Sequence, residues 1–447
     1  MKRVVSILLF VSIICVLFSS CSFSLFKSTD YLMKPPVFSN TDEELLNAFT
    51  LAAGESTVYC TPLGGDFKSA VIVEDIDGDR IDEAFVFYRL KSGQGTVRLN
   101  MLERIDGEWK SVSDFSGSGT SVDSVSFTDL DNDGVKEVFA GWRVGSSSAK
   151  ALSVYRRNSD RHSYQEIMNE AYSVMSCGDA DSDGETEVLL VSQLSTVTGN
   201  QNSANLYKYV GGKMNLTGSA KLDGNVSSYV SVKNEKTDEE SPLRFYIDAL
   251  KGEMLMITEL IYWDEATAEL VDPFVDEVTL TNISTLRFEP IPSMDIDNDG
   301  TIDIPVQTAL SEQSPGSDIL VSSSFYQTEW KKVASNGKDL ITVLNSLIST
   351  TGGFILRLDK DSFERINVNA QNDKCWIFRS IDGEGKYTDL FSLLVIDAES
   401  WNDEMANSYT VLMQTDDYFV CAYISAAGVE NGITGEKLTE RFSPFNY

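Results

Sequence analysis

The chain is short of the residues that many catalytic and nucleic-acid-binding sites require. His162 is the single histidine among 447 residues. The chain therefore has few residues from which to build zinc sites with several imidazoles or serine–histidine–aspartate catalytic triads. Lys and Arg number 36 against 68 Asp and Glu, and the net charge of −32 disfavours contact with nucleic-acid phosphates. Common hydrolytic chemistry is poorly supplied, and no nucleic-acid partner is expected.

Cysteine is also scarce. The six cysteines match neither a CxxC redox pair nor a zinc ribbon. Cys177 lies in an alternating apolar run, which indicates a core thiol. A disulfide between Cys375 and Cys421 is a pairing that the sequence leaves open.

The first 20 residues have the layout of a secretory signal: a basic start at Lys2 and Arg3, an apolar run, and small residues before Cys21. The ending Phe18-Ser19-Ser20-Cys21 resembles a bacterial lipobox, although Phe18 stands where leucine is most common. The resemblance implies that Cys21 is lipidated and that a monomeric mature chain is anchored at the outer face of the membrane. An uncleaved anchor and an ordinary signal are the alternatives, and all three place the body outside the cytoplasm.

Four acidic nonamers share carboxylates at positions 1, 3, 5 and 9. The candidate ligands are Asp75, Asp77, Asp79 and Glu83; Asp129, Asp131, Asp133 and Glu137; Asp179, Asp181, Asp183 and Glu187; and Asp295, Asp297, Asp299 and Asp303. Alternate acidic side chains on a tightly curled loop converge on one point, and a glycine at position 6 permits a left-handed turn. Ligands that are all oxygen suit Ca²⁺ better than Zn²⁺ or copper, so we predict up to four structural calcium ions.

The flanks of the nonamers are apolar and extended. An EF-hand needs a glutamate at position 12 and helices on both sides, whereas position 12 is Val86, Ala140, Leu190 or Val306. Each nonamer is therefore predicted to be a turn between two strands. A second apolar anchor follows each nonamer at a nearly constant distance, at Trp109, Tyr164, Met214 and Trp330. It indicates a second hairpin, so each unit carries about four strands.

The units recur about every 50 residues, and one unit near Thr237 has lost its loop. Such units cannot bury their faces alone, so they are interpreted as blades of a mainly β propeller. The nonamers and their strands resemble the FG-GAP/VCBS repeats of integrin-type β-propellers. That resemblance implies structural Ca²⁺ at positions 1, 3, 5 and 9 and the carbonyl of position 7. The first loop departs from it, because Arg80 replaces the glycine and Asp82 adds a carboxylate.

We predict four regions. They are a signal peptide (1–20), a linker with a short helix from Thr41 (21–54), a propeller of about five blades (55–335) and a small α+β domain (336–447) that begins with a helix over Asp339–Ser349. Alternatively the last region supplies two further blades, which makes seven. The whole resembles VCBS-repeat lipoproteins of clostridial bacteria.

The predicted function is a lipid-anchored, calcium-stabilised scaffold that binds a protein or glycan without catalysis. The alternatives are a carbohydrate-active enzyme, either a lyase or a glycosidase, and a calcium-responsive switch. His162 is interpreted as a solvated turn residue. Four tryptophans outside the repeat register are candidates for ligand contact: Trp142, Trp263, Trp376 and Trp401.

Overall fold

The structure is a computed structural model that describes residues 40–91, 95–145, 149–159, 162–196, 199–238, 241–309, 326–350, 352–372 and 374–445. The predicted signal, the lipidation site Cys21 and the linker ahead of residue 40 lie outside these residues. Among the helices that are described, none is long and apolar enough to cross a membrane.

The described residues are mainly β and form six antiparallel sheets that follow one another along the chain. Sheet 1 contains β1 (Thr57–Tyr59), β2 (Val71–Glu74), β3 (Glu83–Leu90), β4 (Arg98–Ile105) and β5 (Glu108–Ser116). Sheet 2 contains β6 (Ser121–Thr128), β7 (Glu137–Arg143), β8 (Lys150–Arg157) and β9 (Tyr164–Tyr172). Sheet 3 contains β10 (Val174–Gly178), β11 (Glu187–Thr196), β12 (Gly199–Val210) and β13 (Lys213–Lys221). In sheets 2 and 3 the strand order is the chain order.

Sheet 4 also keeps the chain order, whereas sheets 5 and 6 have additional strands. Sheet 4 contains β14 (Ser228–Glu235), β15 (Arg244–Lys251), β16 (Leu255–Asp264) and β17 (Glu269–Val271). Sheet 5 contains β18 (Ile304–Ala309), β19 (Tyr326–Val333), β20 (Leu340–Ser349) and β21 (Phe354–Leu358), and β27 (Phe442–Pro444) completes it. Sheet 6 contains β22 (Ile366–Asn372), β23 (Cys375–Ile381), β24 (Tyr387–Asp397), β25 (Thr410–Gln414) and β26 (Tyr418–Ile424), with β26 paired between β24 and β25.

One long helix precedes the sheets, and short helices accompany the last two. The predicted N-terminal helix is confirmed as α1 (Asn40–Ala53), which buries Leu45 and Phe49 against sheet 1. The short helices are α2 (Lys360–Arg365), a 3-10 turn (Ala398–Ser400), α3 (Asp403–Ser408), α4 (Ala426–Glu430) and α5 (Gly435–Arg441). α2 to α5 have capping residues whose side chains accept from backbone N–H groups, as short helices require.

Successive sheets share hydrophobic cores, and the strand after each of the first three nonamers is buried on both faces. Phe85 and Phe87 of β3 face the core shared by sheets 1 and 2, whereas Val86 and Tyr88 face α1. β7 and β11 alternate in the same way between the preceding and following cores. A strand between two cores needs apolar residues at every position, which explains the continuous apolar runs after the nonamers.

The predicted helix over Asp339–Ser349 is wrong, because this segment is strand β20. It pairs with β19 on one side and β21 on the other, and its consecutive residues Leu347 and Ile348 are buried in different cores. Consecutive apolar residues serve opposite faces of a strand, not one face of a helix. The predicted boundary between residues 335 and 336 therefore falls inside sheet 5.

The structure decides against the Cys375–Cys421 disulfide that the sequence leaves open. Cys375 lies opposite Leu394, and Leu394 lies opposite Cys421, so a strand separates the two cysteines. Two strand spacings are about 9.5 Å, beyond the roughly 7 Å that a disulfide spans between Cα atoms. Both are free thiols, as are Cys60 and Cys177. Cys177 packs at the core of sheets 2 and 3, and burial raises the pKa of its thiol to about 12, which confirms a core thiol.

Candidate metal centres

The four nonamers form loops ahead of buried strands, as predicted. Loop 1 (75–83) joins β2 to β3, loop 2 (129–137) joins β6 to β7, and loop 3 (179–187) joins β10 to β11. Loop 4 (295–303) leads into β18, and a single bridge between Met294 and Asp303 closes its base. The residue at position 9 begins or immediately precedes the buried strand, which places its carboxyl at the base of the loop.

All four loops have the same backbone geometry. Positions 4 and 6 both have positive φ, at Gly78 and Arg80, Asn132 and Gly134, Ser182 and Gly184, and Asn298 and Gly300. Arg80 has φ 70°, so the first loop keeps the common geometry despite its substitution. A residue with a side chain is strained at positive φ. Loop 1 therefore has an unfavourable backbone conformation at position 6, where the other three loops have glycine.

The same hydrogen bonds recur in every loop. The carboxyl at position 9 accepts from the N–H of position 2, at 3.1 Å for Glu83 and Ile76, and at 3.0 Å for Glu137 and Leu130. Loops 3 and 4 repeat this bond at 2.8 and 3.2 Å. The N–H of position 6 donates to the carboxylate of position 1 in each loop, at 3.0, 3.0, 3.2 and 2.9 Å. Backbone N–H groups thus hold two carboxylates of each loop in place without the help of a cation.

Acidic side chains converge in each loop. In loops 1 to 3 the triads are Asp75, Asp77 and Glu83; Asp129, Asp131 and Glu137; and Asp179, Asp181 and Glu187. In loop 4 the triad is Asp295, Asp297 and Asp299. One oxygen of each triad member lies within 4.8 Å of those of the other two, so each triad could bind a metal ion. Position 5 of the first three loops and Asp303 of the fourth stand outside the triads.

Buried oxygen atoms without hydrogen-bond partners support the fit to a cation. Such atoms are Oδ1 of Asp75, Asp129 and Asp179, all at position 1, and Oδ1 of Asp303. Asp303 itself is wholly buried. A carboxylate oxygen shielded from water with no donor is unfavourable unless a cation satisfies it. A set of oxygen ligands alone suits a hard divalent ion such as Ca²⁺.

The carboxyls at position 9 have perturbed acidity. Burial raises the pKa of Glu83, Glu137 and Asp303 to about 7, and the negative charges of neighbouring loop aspartates add to the effect. Burial likewise raises the pKa of Glu187. A divalent cation among these groups would favour their ionised form by direct attraction.

Backbone hydrogen bonds connect loops of successive sheets. Lys136 N–H donates to Ile76 O at 2.8 Å, which joins loop 2 to loop 1. Thr186 N–H donates to Leu130 O at 2.9 Å, which joins loop 3 to loop 2 by the same positions. Loops 1 to 3 thus form a connected row.

Sheet 4 keeps its place in this row without a nonamer. Arg244 lies opposite Glu235 at the base of the β14–β15 hairpin, the place that position 9 takes in the other sheets. Glu235 accepts from the N–H of Ile302 in loop 4, and the buried Arg244 donates to Ala334 O at 3.1 Å. The guanidinium places a cation at this position, and the described residues of sheet 4 contain no acidic triad of the kind found in the loops.

Several side chains that contact the loops could not be predicted from the sequence. They are Glu103 on β4, Arg156 and Arg157 on β8, and Lys208 on β12. Their distance along the chain from the nonamers varies with hairpin length, so no fixed spacing signals them. Cross-strand register brings Glu103, Arg156 and Lys208 toward the loops of their own sheets, whereas Arg157 reaches loop 1 from the neighbouring sheet.

The apolar anchors are buried as predicted, whereas two of the four tryptophans named as candidate ligand contacts are wholly buried. Trp109, Tyr164, Met214 and Trp330 are all buried. Trp142 and Trp376 are wholly buried as well, so their prediction as ligand contacts is wrong. Trp263 packs at the core of sheets 3 and 4, and Trp401 stacks on Phe419 with ring centroids 4.6 Å apart. The side chain of His162 is 59% exposed and lies 3.7 Å from Glu103, which agrees with a solvated turn residue.

A cavity of about 480 Å³ lies between sheets 5 and 6, and apolar residues share its lining with charged ones. Asp359 at its rim caps α2 through Ser362 N–H at 2.8 Å and pairs with Arg441 at 2.8 Å. Asp382 accepts from two N–H groups of its own turn. These two acids therefore have structural partners.

No protein-family model and no curated protein matches the chain. Similar solved structures include the exotype rhamnogalacturonan lyase YesX, at 11% identity over 69% of this chain and 75% of that one, with a TM-score of 0.23. Sqt1 from Chaetomium thermophilum aligns at 9% identity over 81% and 96%, with a TM-score of 0.32. The GH43 β-1,3-galactosidase BT0265 aligns at 11% identity over 83% and 79%, with a TM-score of 0.24. These overlaps are too weak to assign a substrate or partner.

Proposed function

We propose that the chain is a calcium-stabilised β-propeller of the FG-GAP/VCBS type, with a role as a binding scaffold. The sheets are its blades, and the Ca²⁺ ions at loops 1 to 4 are structural. Cys21 anchors it to the outer face of a bacterial membrane, where it binds a protein or a glycan. Catalysis is not part of this proposal.

The recurrence of the loop geometry carries the proposal. Four loops have the same two left-handed positions, the same two carboxylate-to-backbone hydrogen bonds and a converging acidic triad. Acidic turns at a protein surface usually point into water, whereas these carry buried, unpartnered oxygens. A bound ion joins the loop to the base of a buried strand through position 9, which stabilises the sheet and leaves the surrounding surface for a partner.

Calcium binding is the direct test. The predicted mature chain (21–447) with Cys21→Ser is freed of metal, titrated with CaCl₂ by calorimetry, and unfolded thermally with and without chelator. We expect up to four sites and a melting temperature that rises with calcium. Absence of calcium-dependent heat and of any change in melting temperature would reject the proposal.

The scaffold and enzyme alternatives make different predictions for polysaccharides. A panel of glycans and pectic polymers is incubated with the calcium-loaded chain, and binding and product formation are followed in parallel. The scaffold proposal predicts binding without turnover, or no glycan binding where the partner is a protein. Steady release of oligosaccharide would contradict the scaffold proposal and support the carbohydrate-active enzyme instead.

A further inference from the structure

The cross-strand neighbour of position 9 is a cation in three sheets. The paired residues Val138 and Tyr155, Val188 and Tyr207, and Ile304 and Lys331 end these ladders next to position 9. Continuing each register by one residue sets Arg156 opposite Glu137, Lys208 opposite Glu187 and Lys332 opposite Asp303. Side chains that face each other across a strand pair lie on one face and interact. Each of these cations therefore projects toward the acidic loop of its own sheet.

Arg156 contacts three carboxylates of loop 2. Its Nη1 donates to Glu137 Oε1 at 2.5 Å and to Asp131 Oδ1 at 3.1 Å, and its Nη2 donates to Asp133 Oδ2 at 2.6 Å. The side chain is only 15% exposed, so these charges interact with little screening. The guanidinium also lies over the ring of Tyr209 in sheet 3, 4.6 Å from its centroid.

Lys208 takes the corresponding place in loop 3. Its Nζ pairs with Asp183, lies 3.3 Å from Asp181 Oδ2 and lies 3.2 Å from Glu187 Oε1. Its side chain is 12% exposed. Lys332 in sheet 5 reaches only Asp299, at 3.7 Å, and is well exposed. Loops 2 and 3 are therefore the ones in which an internal cation contacts three of the four candidate ligands.

Loop 1 differs, because the register that pairs Ala84 with Leu102, continued by one residue, sets Glu103 opposite Glu83, where sheets 2, 3 and 5 have a cation. The cation that reaches this loop, Arg157, comes from sheet 2. It lies 2.5 Å from Asp77 Oδ2 and 2.7 Å from Glu103 Oε1. The internal cation of loop 1 thus bridges two sheets, whereas those of loops 2 and 3 belong to their own sheets.

We propose that Arg156 and Lys208 are internal counter-ions that calcium displaces, and that they lower the calcium affinity of loops 2 and 3. This inference rests on the proposed function. Asp131 and Glu137 in loop 2, and Asp181 and Glu187 in loop 3, cannot serve both cations, because Ca²⁺ ligates oxygens at about 2.4 Å and repels a positive charge held at the same atoms. Without metal, the Arg156 or Lys208 side chain neutralises negative charge in its own loop. With metal, Arg156 keeps its stacking on Tyr209.

The experiment compares Arg156→Gln and Lys208→Gln with Lys213→Gln, which removes an exposed cation from sheet 3. Calcium titration calorimetry and thermal unfolding in chelator are run on the mature chain with Cys21→Ser. We expect each of the first two variants to bind calcium at least tenfold more tightly at one site and to melt at a lower temperature in chelator. Lys213→Gln is expected to match the parent chain, and Arg156→Lys is expected to stay near it.

The double variant Arg156→Gln/Asp129→Asn shows whether the gain in calcium affinity arises at loop 2, since loss of a loop 2 ligand is expected to abolish that gain. If the parent chain binds calcium and both single variants bind it equally or more weakly, these side chains support the ligands and the inference is wrong. If neither the parent nor any variant binds calcium, the proposed function fails, and the inference fails with it.

Discussion

The Arg287 guanidinium donates a hydrogen bond to Asp248 at 2.8 Å, and both side chains are wholly buried. Arg287 also donates to Ile291 O at 2.5 Å and to Thr258 Oγ1 at 3.0 Å. Asp248 accepts from Ser293 N–H and Oγ. Burial lowers the pKa of Arg287 to about 10, which leaves it charged at neutral pH. This ion pair fastens the segment after sheet 4, which leads to loop 4, onto β15 and β16.

Breaking this pair should destabilise the protein strongly. Arg287→Gln or Asp248→Asn removes one charge and leaves the other buried without compensation, which costs about 3–5 kcal/mol. Denaturant unfolding of the calcium-loaded chain measures the loss. The double variant Arg287→Gln/Asp248→Asn should lose less than the sum of the single variants, and additive losses would show that the two groups do not depend on each other.

Loss of a loop ligand should matter only when calcium is present. Asp179→Asn removes a triad carboxylate, so we expect a decrease of about 2 kcal/mol in unfolding free energy in calcium and little change in chelator. Asp416→Asn, which changes an exposed acid in sheet 6, is the matched control. Equal losses in both solutions would instead indicate a role without metal.

Arg80 is expected to be a site of backbone strain. Arg80→Gly in chelator should stabilise the chain by up to about 1 kcal/mol, because glycine adopts φ 70° without penalty. The reverse change in loop 2, Gly134→Ala, should destabilise by about 1 kcal/mol. Its added Cβ meets no atom within 4 Å, so only the φ of 86° opposes it. If Arg80→Gly lowers the midpoint of unfolding, the arginine side chain contributes more than its backbone costs.

The acidic pair in sheet 4 should make stability depend on pH. Burial raises the pKa of Asp272 to about 7, and burial and the charge of Asp272 raise the pKa of Glu259 well above its usual value. Asp272 therefore binds a proton on folding. Its stabilising contribution is complete below about pH 4 and is lost as pH rises through 7. Between pH 5 and pH 8, the unfolding free energy of Asp272→Asn should increase by about 2 kcal/mol relative to that of the parent chain, as measured by denaturant unfolding. A constant difference in unfolding free energy between the two chains across that range would contradict this.

The thiols offer a chemical check on the last sheet. With Cys21 replaced by serine, the unfolded mature chain should react with a thiol reagent at four positions without prior reduction, because Cys60, Cys177, Cys375 and Cys421 are free. Reductant should leave the melting temperature unchanged. A count of two thiols would mean that a disulfide forms despite the intervening strand.

Much of the fold was predictable from the sequence because its periodicity is strong. Alternating and continuous apolar runs located the strands around the nonamers, and the common anchor position located the second hairpin. The segment Leu340–Ser349 was mistaken for a helix, since its apolar residues fit either period and only its pairing partners decide between them. The late strand β27 was not foreseen, because its partner β21 lies far away along the chain.

The convergence of acidic side chains in each loop could be predicted from composition and spacing, whereas the surroundings of these side chains could not. Position 9 was expected as a ligand, and its backbone bond to position 2 follows from the loop geometry. The approach of Arg157 to loop 1 depends on how sheet 2 lies against sheet 1, and the sequence carries no sign of that contact. The same holds for Arg244, whose place opposite Glu235 is set by register in a unit without the motif.

The pairing of β27 with β21 also bears on how the protein folds as it is synthesised. Sheet 5 cannot acquire its last strand until residue 444 has left the ribosome. Until then the edge of β21 offers unpaired backbone groups to any extended peptide nearby. A chaperone that covers this edge during synthesis would shield a stage at which neighbouring nascent chains could exchange strands.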